Sequence, residues 1–101
     1  MSKIDNQYQK IVDEEAKKLL ELKLQELLEI PDYGTVTSSL GEKEVSIGFW
    51  HHEFSKEDHH IYFKTERRVF LFLYRSYISG IIFGTSTSPR LMTPEECSQY
   101  D

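Results

Sequence analysis

The sequence predicts an α+β fold: one long N-terminal helix packed across a four- to five-stranded antiparallel meander sheet, with a short C-terminal helical turn. Three observations lead there. The chain before Pro31 is rich in Leu, Glu and Lys and contains no glycine or proline, a composition that favours helix. Beyond Gly34 the apolar residues recur at every second position, the period of a half-buried strand. The segments between the alternating runs are two to four residues long, too short for the crossovers that parallel strands require.

With 101 residues and 11.9 kDa, the chain reads as a single domain over 1–101: helix in 1–30, sheet in 33–85, polar tail in 86–101. Its hydrophobic content is modest at 39%, but six Phe, six Tyr and one Trp supply enough burial to argue against global disorder.

The helix is supported by Asp13/Lys17 and Glu14/Lys18, acid first at i,i+4 spacing. Ser2 or Asp5 offers an N-cap, and Pro31 disfavours helical geometry at Ile30, so the helix should end near Glu29. Its apolar stripe changes direction. At ~100° per residue, Ile4, Tyr8, Ile11, Val12 and Leu19 share one face, and Leu20, Leu24, Leu27 and Leu28 lie on another. A surface helix needs one stripe. Either the second half is buried more deeply, under the last loop or the C-terminus, or it meets a partner such as another copy of the chain. Leu20, Leu24 and Leu28 are therefore candidate interaction residues. A helix of ~37 Å would also overhang strands of ~25 Å, so the excess must fray, bend or be covered.

Thr35 to Leu40 reads as the first strand and Gly41-Glu42 as a tight turn. Lys43 to Phe54 follows, with Val45, Ile47 and Phe49 on one face and Glu44 and Ser46 on the other. Ser55 to Asp58 is a polar turn, His59 to Thr65 a strand, and Glu66-Arg67 a second turn. Arg68 to Tyr77 is apolar on both faces through Tyr74. That pattern fits a central strand covered on both sides, or a strand whose outer face meets a partner. Phe70, Phe72 and Tyr74 are accordingly the second group of candidate interaction residues. Ser79-Gly80 allows a bend before Ile81 to Thr85. In the tail, Thr93-Pro94-Glu95-Glu96 forms a compact helix start, with a threonine cap and a capping-box glutamate.

The formal charge of −5 argues against nucleic acid as the main partner. Residues 1–60 hold seven basic and thirteen acidic side chains, and residues 61–101 five and four. The acidic half is either a solvated helix or a surface that meets a basic partner. A stacking surface for single-stranded nucleic acid could be built from Lys64, Arg67, Arg68 and Arg75 with the neighbouring aromatics, but the net charge opposes it. The single cysteine, Cys97, fits a reducing cytoplasmic compartment. No apolar signal core opens the chain, and the apolar tract from Val69 to Phe83 carries Arg75, so no membrane partner is expected.

The four histidines His51, His52, His59 and His60 flank one hairpin turn. With a four-residue turn at Ser55 to Asp58, Phe54 would face His59 and Glu53 would face His60. His51, Glu53 and His60 would then converge as a metal-ligand set, although a one-residue slip breaks it. Four clustered imidazoles could instead charge together near pH 6 and loosen the hairpin end. Nucleophilic catalysis finds no support, since no G-x-S-x-G, P-loop or G-x-G-x-x-G occurs and Cys97 has no neighbouring base. No cofactor is implied.

The leading expectation is a small non-enzymatic interaction protein, of inhibitor, immunity or regulatory type, that binds a basic protein partner or forms a homodimer. The alternative is a ligand-binding or enzymatic domain, with Tyr33, Trp50, Tyr62 and Tyr74 lining an aromatic pocket and His51 or His60 as base.

Overall fold

A computed structural model describes residues 2–101. Helix α1 spans Lys3–Leu19 and begins at Ser2, whose hydroxyl accepts from the Asp5 backbone N–H at 3.2 Å. Tyr8, Ile11, Val12, Ala16 and Leu19 line its buried face, the first of the two stripes read from the sequence.

The expected single helix to Glu29 does not form. The chain leaves helical geometry after Leu20, and Lys23 is extended at φ −75° and ψ 157°. A short helix α2 then runs Leu24–Leu28, with the Glu26 carboxylate accepting from the Lys23 backbone N–H at 2.9 Å. The reversal of the apolar stripe explains the break. In one straight helix the second stripe would point away from the sheet. After the bend, Leu27 is fully buried, and Leu20 and Leu22 pack against the core that α1 also covers. The overhang is thus bent inward.

The sheet has five strands in sequence order, each antiparallel to its neighbour: β1 Tyr33–Leu40, β2 Lys43–Ser55, β3 Asp58–Phe70, β4 Leu73–Phe83 and β5 Arg90–Leu91. The turn at Gly41-Glu42 falls where expected, and Gly41 takes φ 64° there, a conformation glycine adopts without a Cβ clash. Val45, Ile47, Ile61, Phe63, Tyr77, Ile81 and Phe83 form the face under α1.

Three expectations about the second half of the sheet are corrected. Glu66-Arg67 is not a turn: both residues lie within β3, paired with Ser76 and Arg75. Arg68 to Tyr77 is consequently not one central strand. It is the end of a hairpin that reverses at Leu71-Phe72, with Phe70 opposite Leu73. Its charged pair tolerates a strand because Arg67 reaches an acidic partner on α1 while Glu66 stays exposed on the other face. Finally, Ser79-Gly80 makes no bend. Gly80 sits inside β4, where the Ile61 carbonyl and the Met92 side chain occupy the space a Cβ would take, and the last strand is Arg90–Leu91.

The tail also does more than its polarity suggests. Helix α3, Pro94–Ser98, starts with the expected box: Thr93 Oγ1 accepts from Glu96 N–H at 3.2 Å, and Glu96 accepts from Thr93 N–H at 2.8 Å. Met92, Cys97 and Tyr100 lie over the sheet face opposite α1, against Trp50, Tyr62, Ile78 and Ile82. Arg90 secures the crossing through two 2.8 Å bonds to the Glu96 carboxylate. The guanidinium, then the Thr93 N–H, lower the Glu96 pKa to about 2.

Candidate functional site

Pairing between β2 and β3 ends at Gly48↔Lys64, whereas β3 and β4 stay paired out to Phe70↔Leu73. The last stretch is therefore a two-stranded ribbon projecting from the sheet. Six consecutive apolar residues at its end, Val69 to Tyr74, are all exposed, with Phe72 at 91% and the others between 38% and 65%. An isolated hairpin is marginally stable in water, so its base must be held. Asp5, buried at the start of α1, does this. Its carboxylate accepts from Arg67 Nη2 at 2.9 Å, from Arg75 Nη1 at 2.6 Å and from the Tyr77 hydroxyl. Tyr8 stacks on Tyr77 with centroids 5.2 Å apart, and the Arg67 guanidinium lies over the Tyr8 ring.

Arg67 and Arg75 are direct cross-strand partners, a like-charge pairing that costs stability unless compensated. Asp5 compensates it. The Tyr77 hydrogen bond foremost, then Arg67, Ser2 and the Arg75 charge, hold the Asp5 carboxyl well below the usual carboxylate range against the opposing effect of burial. Burial, then the bond to Asp5, push the Tyr77 hydroxyl up. In the turn, Leu71 has φ 39°, a left-handed conformation that costs a non-glycine residue ~1–2 kcal/mol.

The two groups of candidate interaction residues do not form one surface. Phe70, Phe72 and Tyr74 are on the ribbon, beside the N-terminus of α1. Leu20, Leu24 and Leu28 are beyond its C-terminus, where Leu20 packs on the core and Leu24 and Leu28 are only 38% and 37% exposed. Leu24 lines a shallow recess with the loop from Gly84 to Pro89. That loop is gripped by Glu57, which accepts from Ser86 N–H at 2.8 Å and from the Thr85 hydroxyl. Those two bonds, Thr85 first, lower the Glu57 pKa.

The set His51, Glu53 and His60 is not assembled. The turn has two residues, Lys56 and Glu57, with an irregularity between Glu53 and Ser55, so Glu53 faces His59 and His52 faces His60. The four histidines divide two and two between the sheet faces. Among the described residues no group of three or more His, Cys, Asp or Glu side chains is arranged to hold a metal ion.

On the α1 side, His51 Nδ1 lies 2.9 Å from the Ile30 carbonyl and His51 Nε2 lies 2.9 Å from His59 Nδ1. A carbonyl can only accept, so Nδ1 of His51 carries the proton there. In the neutral pair His59 must then donate through Nδ1. That leaves His59 Nε2 facing the Glu53 carboxylate at 3.5 Å. This chain ties the end of α2 to the sheet. On the opposite face, His60 bridges the Asp58 carboxylate at 2.9 Å and the Tyr100 hydroxyl at 2.6 Å, and His52 stacks on Tyr62 and Tyr100. Burial raises the hydroxyl pKa of both Tyr62 and Tyr100. The part played by Tyr100 was missed from sequence, since nothing near the C-terminus marks it as a histidine partner.

The aromatic pocket is not formed from its four expected residues. Trp50 and Tyr62 stack 5.2 Å apart beneath the tail, Tyr33 is 75% exposed at the start of β1, and Tyr74 is on the ribbon. A cleft of about 450 Å³ opens elsewhere, between α1, β4 and α3, lined in part by Gln9, Asp13, Ser76, Met92 and Cys97. Burial, then the charges of Asp13 and Glu96, raise the Cys97 thiol pKa, away from the thiolate a nucleophile needs.

No protein-family model, curated protein or solved structure matches this chain. Among the described residues no helix is long and apolar enough to cross a membrane.

Proposed function

We propose that this chain is a small non-enzymatic protein-interaction module that docks through the β3–β4 ribbon. One observation carries the reading: the exposed apolar run Val69 to Tyr74 stands clear of the sheet on a base fixed by Asp5. Large contiguous apolar surface is uncommon on a free monomer and marks binding surfaces. Aromatic and arginine residues are the ones that anchor interfaces, and the ribbon carries Phe70, Phe72 and Tyr74 with Arg68 beside them. An inhibitor or regulatory role suits such a module, because a fixed arm can mask a partner's surface without doing chemistry.

The test is site-specific photocrosslinking in the native host, with a photoreactive residue replacing Phe72 and, as control, Lys10 on the exposed side of α1. Discrete protein adducts at position 72 and none at position 10 are expected. Absence of adducts at position 72 would overturn the reading.

A further inference from the structure

We infer that the partner of the ribbon is a second copy of this chain, and that two ribbons pack antiparallel across a twofold axis. This rests on the docking role assigned above to the ribbon and names its occupant.

Area is the first argument. At ~150–250 Å² per large side chain, the exposures of Val69 to Tyr74 correspond to on the order of 700 Å² of surface. That exceeds the ~300–600 Å² of the largest patch on a typical monomer. It approaches the ~800 Å² that each partner gives to a stable interface. A second ribbon offers apolar surface of the same extent to cover it.

Charge is the second. The ribbon base carries four basic side chains, Lys64, Arg67, Arg68 and Arg75, but three of them are paired with Asp5 or Glu66. Arg67 and Arg75 share the Asp5 carboxylate and Lys64 faces Glu66 at 4.0 Å, so Arg68 alone of these cations has no acidic partner among the described residues. An anionic bilayer or an acidic protein calls for a cluster of unpaired basic residues rather than the single Arg68, and a basic partner would need an acidic surface.

The third is self-complementarity. A twofold interface requires one patch to match itself. In an antiparallel arrangement the end of each ribbon lies toward the base of the other, which sets the aromatics of one copy against Arg68 of its mate. Guanidinium groups bind aromatic faces favourably. The ribbon also leaves strand edges for backbone pairing: β3 has no ladder pairing with β2 beyond Lys64, its last tie being the Thr65 hydroxyl on the Ser46 carbonyl, and β4 meets the β5 segment only from Gly80 to Ile82. Two copies of one edge related by a twofold axis meet antiparallel, the more stable ladder.

The fourth is conformational cost. A two-residue hairpin turn usually places Gly, Asn or Asp at positive φ. Here Leu71 occupies that conformation, so an apolar side chain is kept at the ribbon end against its backbone preference. Strain of this kind clusters at functional positions.

The experiment is sedimentation equilibrium on the full chain over roughly 5–200 µM, a span that resolves micromolar self-association. The variants Phe72→Asp and Leu71→Asp are run alongside. Both positions are exposed, so thermal unfolding should confirm that the monomer fold survives. A dimeric wild type is expected, with each variant weakening the dimer at least ~30-fold, the loss that a central interface residue produces. A wild type that stays monomeric throughout overturns the inference, as does a dimer that both variants leave intact. The monomeric outcome is then divided by flotation with phosphatidylcholine–phosphatidylserine vesicles. Binding lost in Phe72→Asp assigns the ribbon to a bilayer, whereas no binding combined with hetero-adducts at position 72 in cells assigns it to a different protein. In that last case the interaction reading stands while the second copy falls. No adducts of any kind remove both.

Discussion

The segments Leu19 to Leu28 and Val69 to Tyr74 look alike in sequence: each carries more apolar surface than one layer contact consumes. Their fates are opposite. The first bends after Leu20, and the bend turns its second stripe onto the core that the first already covers, so Leu27 is sealed while Leu24 and Leu28 sit at the margin. The second cannot fold back. It lies at a hairpin end beyond the last β2 pairing, and all six of its residues are exposed. Surplus apolarity is absorbed where the chain can bend toward a core and left outside where strand pairing carries it past the edge of the sheet.

Substitutions can break or sharpen this contrast, and the largest effect is expected in the absorbed segment. Leu27→Ala should cost ~2–5 kcal/mol, as for other sealed leucines, measured by urea unfolding. A cost below ~1 kcal/mol would mean that α2 is not part of the core.

Next comes the anchor of the projecting segment. Asp5→Asn leaves Arg67 facing Arg75 without its carboxylate and should lower the melting temperature clearly, though by less than Leu27→Ala. The pH dependence has a defined sign. The Asp5 pKa is depressed in the folded state, so its stabilisation is complete above the ordinary carboxylate range and fades as pH falls below it. Glu96 acts in the same direction, losing its contribution between its ordinary 4.5 and about 2. Wild type should therefore lose stability on acidification through that window. Asp5→Asn should lose less over the same range, and equal slopes in thermal melts at pH 5 and pH 3 would contradict the Asp5 assignment.

Leu71→Gly should raise stability by ~1 kcal/mol, since glycine relieves the positive φ; chemical denaturation of the isolated monomer would read it. Leu24→Asp should change stability by less than ~1 kcal/mol. The side chain is at the margin of the core, and an acid in the first turn of α2 is favourably placed against the helix dipole. A single continuous helix with Leu24 buried would have made the same change severe. The smallest effect belongs to Phe72→Ala, within ~0.5 kcal/mol for the monomer. A loss of several kcal/mol there would mean that the ribbon is covered within its own chain.

Much of the fold was legible because it rests on local chemistry. Ser2 and Thr93 cap their helices, Gly41 sits at its turn, and Val45, Ile47 and Phe49 alternate inward as their spacing requires. The histidine set was not legible. The irregularity between Glu53 and Ser55 exchanged His60 for His59 as the partner of Glu53, and register is a property of pairing rather than of either strand. The tail misled for a related reason: the partners of Met92, Cys97 and Tyr100 are residues of β2, β3 and β4, remote in sequence.

By itself, then, the sequence determined the starts of α1 and α3, the alternating strands, the α+β class and the presence of two apolar surpluses, since propensity, capping and periodicity act over a few residues. Only the tertiary structure decided which surplus was consumed. A run apolar on both faces satisfies a buried central strand and an exposed ribbon end equally well. The difference depends on whether another element lies within contact distance, which no local pattern encodes.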